Sequence, residues 1–247
     1  MTVRPEYVIL GVIVLFANLA QALSGFGSLV IAVTLGALLF PIESLPPVLL
    51  PLNIVVTAWI VGRNYQTIDR RVLFRLVIPL MGPGVVLGLL SSDYLQSQTL
   101  RNVFAVMIVV LSILEIARLV RGSGRVDSVV ARVPGSIWVF LSGIVHGLYG
   151  TGGPLLVYGI GREPLSAAAF RSTLSAIWLL WNSGLSIYFL IRGDIGPEQG
   201  FLMAGLLPVV LLGMWMGDHL HHRVSETNFR LIVFGLLLFA GGALLFR

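Results

Sequence analysis

The sequence predicts an all-α, polytopic membrane protein made of two pseudo-symmetric four-helix repeats, each beginning with a helix that glycines break or turn back. Three observations lead there. Of 247 residues, 57% are hydrophobic and 11% charged, with a mean hydropathy of +0.95, more apolar side chain than a water-soluble fold can hide. The apolar residues gather into eight blocks joined by short polar connections. A glycine-rich interruption in the first half recurs in the second at a displacement of 125 (150 − 25).

The blocks run Tyr7 to Phe40, Pro46 to Gly62, Val72 to Leu90, Leu100 to Val120, Pro134 to Ile160, Leu165 to Ile191, Phe201 to Gly217 and Phe229 to Phe246. The first is too long for a simple span and is interrupted at Ser24-Gly25-Phe26-Gly27-Ser28; the fifth is interrupted from Gly147 to Pro154. Glycine and proline break helices. Each interruption is therefore a re-entrant hairpin or a span broken in the middle, and such backbone is tolerated only where it is buried in protein or lines a wet cavity. The longest connection falls at the centre of the chain. It divides an N-terminal repeat, 1–120, from a C-terminal one, 134–247, with 121–133 as a cytoplasmic linker.

Duplication rests on more than the two breaks. Asn53 reads against Asn182 and Arg63 against Arg192 at a displacement of 129, and Gly88 and Asp93 read against Gly213 and Asp218 at 125. The repeat also bears on processing. Arg4 followed by Val8 to Ala20 has the pattern of a signal peptide, but its counterpart, Ser136 to Leu148, is internal, so the N-terminus is expected to belong to the fold.

Composition excludes several chemistries. All 16 basic residues are arginine, so a P-loop lysine and a lysine Schiff base to a pyridoxal cofactor are both ruled out. With no cysteine there is no disulfide, thiolate zinc site, iron–sulfur ligation or cysteine nucleophile. The net charge of +5 would suggest nucleic acid in a soluble protein, but here the arginines sit at the ends of apolar runs, where they set topology. The Gly25-x-Gly27 and Gly150-x-Gly152 pairs lack the third glycine and the β-strand of a dinucleotide site.

The positive-inside rule favours hairpins. If both broken blocks are hairpins, each half crosses three times, the halves are oppositely oriented, and twelve arginines face the cytoplasm against four; with two broken spans the tally is eleven to five. Within the second half alone the contrast is four to two against two to four. Inverted repeats about a central site are the architecture of alternating-access carriers. Helices beginning at Ser28 and at Gly153 would then face each other near the midplane, each offering free N–H groups and about half a unit of positive charge, which makes an anion site.

The glycine-rich break, the proline after the second break and the later asparagine of each half resemble the TauE/SafE family of sulfite and organosulfonate transporters. Gly150-Thr-Gly-Gly-Pro154 is close to the family pattern, whereas Ser24-Gly-Phe-Gly-Ser28 carries fewer glycines. The resemblance covers nearly the whole chain and implies a bacterial plasma-membrane permease for a small sulfur-containing anion, with no cofactor.

The candidate substrate-binding residues are Ser24, Gly25, Gly27, Ser28, Asn53, His146, Gly150, Thr151, Gly152, Gly153, Asn182 and Ser183. The serines and Thr151 supply hydroxyls, and an asparagine amide can donate two hydrogen bonds to an anion; interhelical hydrogen bonding is the competing role for each. His146 stands at membrane depth with Gln21 as its counterpart, and a protonated imidazole there would couple a proton to anion movement. Arg171, near the start of its block, is read as snorkelling to the surface. The cluster from Asp218 to Arg223 is read as a solvated loop and no metal is expected. Two other classes stay open. A channel would share the wet centre without needing inversion, and an intramembrane enzyme would need paired acid and base groups, for which the apolar blocks offer His146 without a partner acid.

Overall fold

The computed structural model describes residues 5–24, 27–92, 94–121, 132–220 and 226–246. Those residues form ten helices, labelled in chain order: α1 Pro5–Ser24, α2 Ser28–Gly36, α3 Pro46–Asn64, α4 Ile78–Ser92, α5 Ser97–Arg121, α6 Gly135–Tyr149, α7 Gly153–Ile160, α8 Ala167–Arg192, α9 Pro197–Leu220 and α10 Glu226–Leu245. A π-turn, Val72–Val77, leads into α4. Each half contributes five helices rather than the expected four, because each glycine break ends one helix and begins another. The second break is shorter than the sequence implies, since α6 stays helical through Gly147 to Tyr149.

Seven helices among the described residues are long and apolar enough to cross a membrane, and α6 is a shorter apolar helix. The eight blocks therefore do not become eight full-length spans. Large apolar side chains stand exposed along them, including Val12, Phe74, Val86, Val110, Leu211 and Phe239. In water such a surface would aggregate; against lipid it is the expected one. The chain is an integral membrane protein.

Helix directions follow from which residues touch. α2 folds back along α1, since Gly36 lies against Leu10 on one side and Leu45 on the other. α7 folds back along α6 in the same way, with Gly152 against Ser142 and Gly159 against Gly135 and Val139. Both breaks are thus the bends of helical hairpins, and neither is a kink in a continuing helix.

The halves interlock. α4 runs parallel to α6 and α9 runs parallel to α1, as Gly213 against Leu15 and Asn18, followed by Gly217 against Leu19 and Ala22, makes plain. α3 and α8 are antiparallel, joined by Asn182 to Asn53 near the middle of both helices and by Thr67, just past the end of α3, to Ser172 in the first turns of α8. α5 and α10 are also antiparallel, with Arg230 beside Glu115 and Gly241 against Ala105 and Ile108. These directions bring Arg63, Arg70, Arg71, Arg75, Arg118, Arg162, Arg171 and Arg230 to one end of the molecule, with Arg101 and Arg192 at the other.

The closest packing is between α4 and α6, where Gly84 and Gly88 meet Gly143 and Gly147. A Cβ on any of the four would come within 2.2–2.4 Å of a carbonyl oxygen on the facing helix. Small residues spaced by four let two backbones touch, which is how helices gain packing energy when lipid supplies no hydrophobic drive. Pro83 inside α4 and Pro208 inside α9 stand 125 apart (208 − 83), a further repeat match.

Candidate anion site between the two helical hairpins

Both short hairpin helices begin without a side-chain cap. The residue before α2 is Gly27, at φ 102°, and the residue before α7 is Gly152; neither provides a side-chain capping hydrogen bond. By contrast Ser166 caps α8 by accepting from the Ala169 N–H. First-turn N–H groups have no intrahelical acceptor, so the starts of α2 and α7 present Ser28, Leu29 and Val30 on one side and Gly153 and Leu155 on the other. Pro154, in the first turn of α7, has no N–H to offer and fixes a helical φ.

The two starts share one cleft. It is lined by Gln21, Gly27, Ser28 and Asn53 from the first half and by Gly150, Thr151, Gly152, Gly153 and Trp178 from the second. The space open to the centre of a water-sized sphere is about 20 Å³, little more than one water needs. Gly150 ends α6 at φ 67°, a left-handed conformation that glycine adopts without strain, and this swings the chain back toward α7.

A polar network closes the first-half side. The Ser28 hydroxyl donates to the Gln21 side-chain oxygen, and Asn53 Nδ2 donates to Gln21 Oε1 at 3.2 Å and to Ser28 Oγ at 3.0 Å. Asn182 Nδ2 in turn donates to Asn53 Oδ1 at 2.8 Å. All four residues are buried. Four polar side chains from α1, α2, α3 and α8 are thereby tied together inside an apolar body, at helix positions where lipid-facing packing would use leucine or valine.

Most of the residues that sequence reading selected come together here. Gly27, Ser28, Asn53, Gly150, Thr151, Gly152 and Gly153 line the cleft, and Asn182 reaches it through Asn53. His146 does not line it; its ring is fully buried against Trp178, at 5.4 Å between centroids, and neither ring nitrogen has a hydrogen-bond partner among the described residues. Ser183 is half-buried, one position round α8 from Asn182, and is not among the lining residues. Ser24 ends α1, while Gly25 lies outside the described residues, as do Asp93 and most of the 121–133 linker. Arg171 is exposed. Of the Asp218–Arg223 stretch, His219 is exposed and near the Trp215 carbonyl, residues 221–223 lie outside the described residues, and no cluster of three metal-ligating side chains occurs among the described ones.

Three residues were missed. Gln21 reads in the sequence only as the counterpart of His146, a register that marks it as a polar side chain at the same expected depth. Trp178 carries no pattern in a sequence this rich in apolar residues. Glu115 corrects the reading that the apolar blocks hold no acid: it sits in the Leu100–Val120 block, one turn before Arg118, and is 5% exposed. A charge so near the end of a block reads as surface, and only packing shows it buried.

A second, much larger cavity of about 530 Å³ opens at the end of the molecule away from the arginine cluster. Its walls include Glu43, Pro46, Ser92, Ser97, Arg192 and Asp194, and its floor includes Gly147 and Leu148 at the tip of the second hairpin. One layer separates it from the cleft. Gly150 touches Pro46 and Leu50, and Tyr149, buried against Phe104, donates its hydroxyl to the Leu100 carbonyl at 3.0 Å.

The profile of the family described as Sulfite exporter TauE/SafE matches residues 10–244. The chain belongs to that family. It is 25% identical over 233 residues to a protein of Cupriavidus necator described as a probable sulfite/organosulfonate exporter TauE, covering 91% of this chain and 88% of that protein. No solved structure matches it at a comparable level. Membership makes this TauE/SafE chain a transporter, and the match spans both hairpins and every residue of the cleft.

Proposed function

We propose that the chain is a secondary carrier that exports a small oxygen-rich sulfur anion, sulfite or an organosulfonate, by alternating access across a bacterial plasma membrane. The observation that carries this reading is the pair of uncapped helix starts, Ser28 and Gly153, on one cleft with Asn53. Free N–H groups and the positive ends of two helix dipoles attract an anion without any ionised side chain, so the site can also release it. Ser28, Thr151, Asn53 and Asn182 would supply side-chain hydrogen bonds to its oxygens.

The two repeats, 1–120 and 134–247 with a cytoplasmic linker between them, are proposed to be inverted. Supporting this, α5 packs antiparallel on α10 and α3 antiparallel on α8, each pair joining counterparts from the two halves. Counterparts related by a two-fold axis along the membrane normal would run parallel, whereas an axis in the membrane plane makes them antiparallel. The arginine-rich end is then cytoplasmic. The 530 Å³ vestibule, at the opposite end from the arginine cluster, then faces outward. A cleft with room for about one water favours a carrier over an open pore. Proton coupling is assigned to His146, whose buried ring contacts the cleft residue Trp178.

The test is transport in proteoliposomes with an imposed proton gradient. Sulfite accumulated beyond its electrochemical equilibrium supports the carrier. Flux that stops at equilibrium, with single-channel currents, refutes it in favour of a channel.

A further inference from the structure

Glu115 of α5 is the buried carboxylate that the cleft does not use. It accepts a hydrogen bond from the Tyr158 hydroxyl of α7, lies 3.4 Å from Nη2 of Arg230 on α10, and lies 3.6 Å from Nη1 of Arg118 one turn along its own helix. Its side chain is 6% exposed and that of Arg230 is 23% exposed. Desolvating such a pair costs free energy, so a tie between α5 and α10 could have been made more cheaply by apolar packing.

The placement of Arg230 gives the pair a further use. Arg230 also lines a small cavity of about 30 Å³ together with Gly27 and Pro154, which belong to the two hairpin breaks, and with Phe229 and Val233. Arg230 therefore borders two regions at once: its guanidinium meets its present carboxylate, and its side chain lines the cavity beside the residues from which α2 and α7 start. It stands on the arginine-rich side of the cleft, since α10 begins at that end of the molecule. A planar guanidinium holds a carboxylate or an oxyanion of sulfur through the same two-pronged geometry.

We propose that Arg230 is an anion-binding residue at the cytoplasmic mouth of the site, and that it exchanges Glu115 for the transported anion when that side opens. This rests on the carrier reading above. The exchange replaces one charge-assisted pair by another, so the partly buried guanidinium keeps an anionic partner throughout. Glu115 retains Tyr158 and Arg118 when Arg230 leaves. No proton moves and no bond other than hydrogen bonds changes.

The two members of the pair then have opposite effects on anion affinity. Sulfite binding to purified protein, measured by calorimetry, is expected to be about tenfold tighter in Glu115→Gln, which removes the competing carboxylate, and about tenfold weaker in Arg230→Gln. Arg230→Lys falls between wild type and Arg230→Gln. The double variant Glu115→Gln/Arg230→Gln leaves no lone buried charge, so it carries the test where Arg230→Gln fails to fold, and it binds as weakly as the arginine variant. A purely structural pair would move both single variants the same way. Binding of both sulfite and phosphate that is no tighter in Glu115→Gln, or undiminished in the double variant, overturns the proposal. A parallel arm uses inorganic phosphate. Opposite shifts with phosphate but not sulfite keep the assignment of Arg230 and remove sulfur anions as the substrate. Opposite shifts with neither anion overturn the assignment of Arg230, while sulfite binding that is lost in Asn53→Ala leaves the carrier reading standing.

Discussion

Asn182 donates its side-chain amide to the amide oxygen of Asn53 at 2.8 Å, and the two residues are 129 positions apart, within the displacement of 125 to 129 proposed to relate the two halves. In a two-fold arrangement a residue meets its own counterpart only at the axis. The proposed axis therefore passes through this amide pair, beside the cleft between the two hairpins. A carrier that alternates by exchanging the conformations of its halves moves least at that axis, which is where a bound solute stays in place while access changes sides.

Replacing either asparagine should weaken the anion and leave the fold. Asn53→Ala removes hydrogen bonds to Gln21 and Ser28 and frees the Asn182 amide, so sulfite affinity should fall about tenfold or more, with a smaller loss for Asn182→Ala, which touches the cleft only through Asn53. Thermal shift of purified protein against sulfite, thiosulfate, sulfoacetate and taurine measures this. Unchanged ligand stabilisation in both variants would remove the pair from the site.

The contact of α4 with α6 should tolerate no added carbon. Gly88→Ala puts a Cβ 2.3 Å from the Ile144 carbonyl, so the helices must separate, at a cost of about 1–3 kcal/mol. Gly184, on α8, faces open space, and Gly184→Ala should be neutral or slightly stabilising. Melting temperatures in detergent separate the two, and equal values would contradict the close packing.

Left-handed glycines should divide by function. Gly150→Ala forces an alanine to φ 67° against Pro46 and Leu50, whereas Gly193→Ala at φ 84° meets nothing within 4 Å. Both should lose about 1–2 kcal/mol of stability from backbone strain. Only Gly150→Ala should also abolish transport, because its turn aims the start of α7. Retained flux in a folded Gly150→Ala protein would separate the turn from the mechanism.

The vestibule makes a prediction about access. The chain has no cysteine, so single cysteines report cleanly. In intact cells Leu95→Cys, on the vestibule wall, should react with a membrane-impermeant maleimide, and Val233→Cys, on the opposite side of the cleft, should not. The reverse pattern would invert the assigned orientation.

Much of the fold was legible in the sequence because a membrane imposes few choices. Blocks of apolar residues must become helices, since lipid satisfies no backbone group, and glycine with proline inside such a block must mark an interruption. The starts of α2 and α7 at Ser28 and Gly153 were readable for that reason. Gln21 and Glu115 were not, because a single polar residue in an apolar helix gives no sign of which neighbour it will meet.

Sequence alone therefore determined that this is a helical membrane protein, where its two helices break, and which family it resembles. Whether each break is a bend or a kink was decided only in three dimensions, by Gly36 lying against Leu10 and Gly159 against Gly135. So was the union of Ser28, Asn53, Asn182 and Gln21 in one network, and the burial of Glu115 against Arg230. The reason is one of range. Local sequence sets the backbone's hydrogen-bonding choices within a few residues, whereas partners 32, 115 and 129 positions apart are chosen by helix packing.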